Sequence, residues 1–174
     1  MHPTSMLRRP AHTTLALVAF AVLALAAAGL GLRSSASAEA PAGTTLRFTE
    51  LEKGSTFKHI RNTKTRNQRS NLMGDLIVFT SPLADSAGRR VGRIHVSCVT
   101  TVGSSNFEKS NAACSGSMVI PQGTLTVQAM NSPGVATTTG AVTGGTGAYA
   151  NARGTFTSVQ ARNGASSDTI TLIP

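Results

Sequence analysis

The sequence predicts an all-β domain, closed as a barrel or paired as a sandwich, behind an N-terminal export signal. Three observations predict it. Strand-favouring residues, Thr and Val above all, recur in short runs from Thr44 onward. Gly, Pro, Asn and Ser break those runs. No stretch of a dozen residues in this region has helical periodicity. With 174 residues, one domain with a real core is expected once a leader is subtracted.

The leader is read from Arg8 and Arg9, the uncharged and mostly apolar stretch from Thr13 to Leu32, and the small-residue site Ala36-Ser37-Ala38. Residues 1–38 are expected to be a secretory signal peptide and residues 39–174 a single β-barrel domain. The alternative is an uncleaved N-terminal helix that anchors the chain in a membrane, because the stretch approaches the roughly 20 residues that span a bilayer. No Cys lies near the leader, which argues against a lipoprotein, and Arg8-Arg9-Pro10 lacks the rest of a twin-arginine signal. Removing residues 1–38 leaves 13 Lys and Arg against 7 Asp and Glu, so the secreted part stays basic.

The predicted strands follow in order at 44–51, 56–60, 72–80, 90–101, 113–120, 124–130, 135–142, 154–161 and 168–173. Alternation is clear where Leu125, Val127 and Ala129 interleave with Thr124, Thr126 and Gln128, and where Ile170 and Leu172 interleave with Thr169 and Thr171. Pro121-Gln122-Gly123, Ser132-Pro133-Gly134 and Arg162-Asn163-Gly164 supply turns. Eight or nine short strands suit a barrel or sandwich, and closure as a barrel removes exposed edges. In the third run Leu76 and Val78 point one way and Ile77 and Phe79 the other, so both faces want cover. A terminal segment or another subunit would supply the outer cover, and a homo-oligomer is expected.

Two cysteines, Cys98 and Cys114, remain in an exported chain, where an even count is expected to be oxidised. Their bridge would close a loop of about 15 residues and contribute about 3 kcal/mol. Two buried thiols are the alternative. A metal site fits less well, since two Cys without a nearby His supply too few ligands.

Three pieces carry a family resemblance: Gly74-Asp75-Leu76-Ile77-Val78-Phe79; Pro82-Leu83-Ala84-Asp85 with Val91-Gly92-Arg93; and the segment from Ala141 to Gly154, with its Gly144-Gly145-Thr146-Gly147 turn and Ala152-Arg153-Gly154. In this order and spacing they resemble the allene oxide cyclase-like and dirigent β-barrels. The resemblance implies an eight-stranded antiparallel barrel, often trimeric, with a lumen for a small apolar or reactive intermediate. Its chemistry would be cyclisation or stereoselective coupling without metal or organic cofactor, driven by confinement and by polar groups in the wall. Dirigent proteins tend to carry acids just before the Pro of the second piece. Thr80-Ser81-Pro82 departs from that pattern, so a lumenal carboxylate is not expected there.

The candidate catalytic residues are Asp75, Asp85, Tyr149 and Arg153. Arg153 matches the Ala-Arg-Gly arginine and could meet an anionic or carbonyl-bearing ligand, or instead brace the glycine-rich turn or pair with Asp75 or Asp85. Asp75 among apolar residues implies a partner, a backbone hydrogen bond or a shifted pKa. Tyr149 could close one end of the barrel, donate a hydrogen bond into it, or pack as a plug.

Other motifs mislead. Gly145-Thr146-Gly147-Ala148-Tyr149-Ala150 fits a loose dinucleotide fingerprint, but Gly154 follows too soon for a βαβ unit. His59 and His95 lack a nucleophile pair or metal set, and His95 with Ser97 lacks an elbow and a third member. Lys58, Arg61, Lys64, Arg66 and Arg69 make either a solvated loop or a surface for an anionic envelope polymer. Nucleic acid is not expected, since the cluster lacks stacking aromatics. The competing reading of the whole is a secreted, envelope-associated binding barrel without turnover.

Overall fold

The computed structural model describes residues 43–62, 70–162 and 164–173. The leader and its cleavage site lie outside the described residues, as do Lys64, Arg66 and Arg69. Among the described residues nine strands form: β1 (Thr45–Glu50), β2 (Thr56–Ile60), β3 (Leu76–Ala84), β4 (Arg90–Val102), β5 (Asn111–Ile120), β6 (Gly123–Asn131), β7 (Thr137–Gly145), β8 (Gly154–Gln160) and β9 (Ser166–Leu172). Short 3-10 turns at Phe107–Lys109 and Gly147–Tyr149 interrupt the connections.

All pairings are antiparallel, in the order β1-β9-β8-β7-β6-β5-β4-β3-β2, and β1 also pairs with β3. β1 meets one end of β3 through Glu50 opposite Leu83, and β2 meets the other end, from Thr56 opposite Thr80 to Ile60 opposite Leu76. The two short strands therefore share one position in the ring, and the sheet is an eight-stranded closed barrel.

Pro82 sits where β1 gives way to β2. Lacking an N–H, a proline weakens a ladder unless it lies at an edge or irregularity. Here the break at residues 51–55 faces it, and its carbonyl accepts the Leu51 N–H at 2.9 Å. Gly54, at φ +94°, turns the chain within that break.

The third strand starts at Leu76, later than the expected 72, and continues past Pro82 to Ala84. Residues 72–75 form a turn instead, with Gly74 at φ +82° and the Asp75 N–H bonded to the Leu72 carbonyl. Asp75 thus precedes the strand rather than lying within it.

Inward side chains are large at one end of the barrel and small at the other. Leu83, Ile94, Met118, Leu125 and Ile170 are essentially without exposure and fill the first end with Phe156, Leu172 and Tyr149. Two residues along the same strands, the inner positions become Gly116 after Met118, Val127 and Ala129 after Leu125, and Ser158 after Phe156. Burying each large aliphatic side chain contributes about 1.5–3 kcal/mol, so the packed end holds the ring together and leaves the other end hollow.

Candidate functional site

The hollow end is a cavity of about 510 Å³. Its wall carries Ile77 and Phe79 from β3, Val96 and Cys98 from β4, Cys114 and Gly116 from β5, Val127 and Ala129 from β6, and Phe156 and Ser158 from β8. Phe57 and Phe107 stand toward the mouth, Phe57 being 64% exposed. Cys98 and Cys114, directly opposite each other on β4 and β5, form the expected disulfide and contribute to this wall.

Glu50 lines the cavity from β1, and Asp168 projects inward from the adjacent β9. They are diagonal neighbours on the inner face: Glu50 lies opposite Ser166, and Asp168 lies opposite Phe48 on one side and Ser158 on the other. Asp168 is 1% exposed, and neither of its carboxyl oxygens has a hydrogen-bond partner of normal geometry. Burial pushes its pKa up to about 8; the Glu50 charge adds to the rise and the nearby Ser158 hydroxyl opposes it. Glu50 is also raised, first by burial, against the opposing effect of Ser81 and Asp168. Two carboxyls so placed titrate as a unit and hold one proton at neutral pH. One can donate while the other accepts, which suits general acid–base chemistry.

The absence of acids before Pro82 therefore does not leave the lumen without a carboxylate. Ser81 occupies that wall, and Glu50 reaches the same space from β1 with Asp168 buried beside it on β9.

Asp75, Asp85, Tyr149 and Arg153 are not brought together, and none of them lines the cavity. Asp75 is buried at the turn before β3. Its carboxylate accepts the backbone N–H of Asn62 at 2.8 Å and of Leu72 at 2.9 Å, and meets His59 Nε2 at 3.1 Å. Burial alone would raise its pKa; these bonds and the His59 interaction outweigh burial and hold it below the usual carboxylate value. Asp85 sits in the β3–β4 turn, where it accepts the N–H groups of Ala87 and Arg89 and pairs with the Arg89 guanidinium at 2.7 Å. Tyr149 is buried in the packed end, and desolvation raises its pKa. Arg153 is exposed just before β8, and its carbonyl accepts the Ile173 N–H. Among the described residues no group of His, Cys, Asp and Glu could hold a metal ion. No described helix is long and apolar enough to cross a membrane.

No family model matches the chain, and no curated protein matches it. Solved structures do. A pyocyanin demethylase superposes with a TM-score of 0.60 at 21% identity, covering 74% of this chain and 99% of that one. A pterocarpan synthase dirigent protein matches with a TM-score of 0.52 at 19% identity, over 74% of this chain and 85% of that one. The chain has the dirigent-type barrel fold. A Diels–Alderase from Streptomyces koyangensis gives 0.54 at 11% identity, and this chain spans 62% of its length. At these identities the dirigent-type likeness concerns the fold; the residues of the cavity are argued from their own chemistry.

Proposed function

We propose that this protein is a secreted barrel that takes a small apolar or reactive intermediate into its lumen and guides its cyclisation or stereoselective coupling. The observation that carries this reading is the hollow end of the barrel with Glu50 in its wall and Asp168 buried beside Glu50. Confinement in an apolar wall selects one conformer of the ligand. The pair supplies a proton to, or removes one from, the atom whose charge develops as the ring or bond forms. A cyclisation of this kind conserves the ligand's mass. Export is supported by the Arg8-Arg9, apolar and Ala36-Ser37-Ala38 pattern and by the disulfide.

An oligomer is supported by an outward row formed by Ile60, Leu76, Val99, Ala113 and Met130, which lie opposite one another across five strands. Val99 and Met130 are 47% and 56% exposed. Light scattering at micromolar concentration tests it, and a monomer there would count against the trimer.

The function is tested by passing organic extract of the medium of producing cells over the immobilised protein and identifying retained compounds by mass spectrometry before and after incubation. Wild type should retain a small apolar compound and convert it to an isomer of equal mass. Glu50→Gln and Asp168→Asn should retain it without conversion. Retention unchanged by wild type as well would favour the binding barrel without turnover, and no retention would overturn the lumen reading.

A further inference from the structure

The distribution of charge around the cavity runs against that of the whole chain. The sequence carries 16 Lys and Arg against 7 Asp and Glu. Yet Glu50, Glu52 and Glu108 line the cavity, Asp168 is buried beside Glu50 on the inner face of the neighbouring strand, and no Lys, Arg or His is among the described residues that line it. Three of the seven acids of a basic protein thus line one apolar space, a fourth is buried beside them, and no cation faces it among the described residues. Asp168 adds an independent observation, since its carboxyl is 1% exposed, faces inward beside Glu50 and Ser158, and makes no hydrogen bond of normal geometry with either oxygen. Buried carboxyls left this way are costly unless a ligand completes them.

The remaining wall favours flat rings. Phe57, Phe79, Phe107 and Phe156 all contribute to it, four of the six phenylalanines in the chain. Phenyl faces attract both aromatic rings and cations. A volume of about 510 Å³ lies within the usual range for small-molecule sites.

We propose that the lumen selects a cationic aromatic ligand, a flat ring system bearing a protonated amine or a charged ring nitrogen, with its positive edge on Glu50 and Asp168 and its rings among the phenylalanines. The proposal rests on the lumen reading above and names its ligand class. Carboxylate ligands are disfavoured, because the Glu50–Asp168 pair keeps one negative charge and Glu52 and Glu108 add theirs at the mouth, all of which would repel them. Glu52 and Glu108 at the mouth add a field that draws cations inward.

Three probes with one ring system test it: anthracenylmethylammonium, anthracenemethanol and anthracenecarboxylate, titrated by fluorescence at neutral pH and physiological salt. The cation should bind at least about tenfold more tightly than the carboxylate, with the alcohol between them. In the Glu50→Gln/Asp168→Asn double variant the advantage of the cation over the alcohol should shrink to about twofold. The wild-type comparison stands without the variant, should the variant fail to fold. Binding of the carboxylate as tight as that of the cation would overturn the ligand class and leave the lumen reading intact. A cation preference that survived both this variant and Glu52→Gln/Glu108→Gln would place the probe outside the lumen and overturn the proposal. Failure of all three probes to bind would overturn the lumen reading and the proposal together.

Discussion

Glu50 and Asp168 occupy neighbouring strands of one barrel wall, two residues apart in register, and both lie on its inner face. Their raised pKa values mean that the folded protein holds a proton that the unfolded chain would release between about pH 4 and the Asp168 value of about 8. Their contribution to stability is therefore fully present below the ordinary carboxylate pKa and is lost as pH rises through the folded one. Asp168→Asn removes this dependence. The stability of the variant relative to wild type should grow by several kcal/mol, at about 1.4 kcal/mol per pH unit, between acidic and mildly alkaline pH. Urea denaturation at both ends of that range checks it, and a difference that stays constant with pH would sink the idea of a shared, buried proton.

Asp75 behaves in the opposite sense. Its pKa is depressed, so its contribution is present above the unfolded carboxylate pKa and is lost as pH falls through the lower folded value. The carboxylate joins three chain positions: His59 on β2, Asn62 just after it, and Leu72 before β3. Asp75→Asn keeps the shape but weakens all three bonds, and should cost about 2–3 kcal/mol at neutral pH. The cost should diminish in strong acid, where the wild-type carboxyl is also protonated. An equal loss at both pH values would mean that the charge is not what holds this turn.

Much of the ring was legible from alternation alone, since Thr56–Ile60 is the strand the sequence predicts and most other strands agree with it to within a few residues. The exception is the third, where the apolar run beginning at Leu72 hid a turn that needs Gly74 at positive φ and a buried Asp75. The acid pair was legible in principle. Leu46, Phe48 and Glu50 share one parity, as do Asp168, Ile170 and Leu172, so each acid ends an apolar face. A carboxyl on the core-facing side of a strand is the signal that finds it. The glycine-rich element carries the more specific sequence pattern, and the fold puts that element at the packed end: Tyr149 is buried there with Leu125 and Leu172. Which end of a barrel stays hollow depends on the size of inner side chains from all strands together, which no single motif contains.

That glycine-rich element makes its own prediction. Gly154 has φ +156°, and a Cβ placed on it would run into the Thr171 carbonyl of β9. Gly154→Ala should therefore cost more than about 2 kcal/mol, because the obstructing atom is backbone in a paired strand. Gly43, also at positive φ, has nothing within 4 Å of the same position. Gly43→Ala should cost about 1 kcal/mol or less, from backbone conformation alone. Urea midpoints of the two variants check the pair, and equal losses would remove close strand approach as the reason for glycine at 154.

The Cys98–Cys114 bridge links strands that the ladder already pairs, so its effect lies mainly in the unfolded chain. With a sequence separation of 16 between the two positions, cross-linking contributes about 3 kcal/mol on chain-entropy grounds. The β4–β5 hairpin is also local in sequence, and any residual pairing in the unfolded state would lower that figure. Cys98→Ser/Cys114→Ser should shift the urea midpoint downward by an amount equivalent to about 2–3 kcal/mol, while the probes of the lumen still bind. Both sulfurs line the cavity, so the two readouts separate the roles. Lost stability with retained binding marks the bridge as a staple of the wall, whereas lost binding in a variant that remains folded would make the sulfurs part of the ligand's surface.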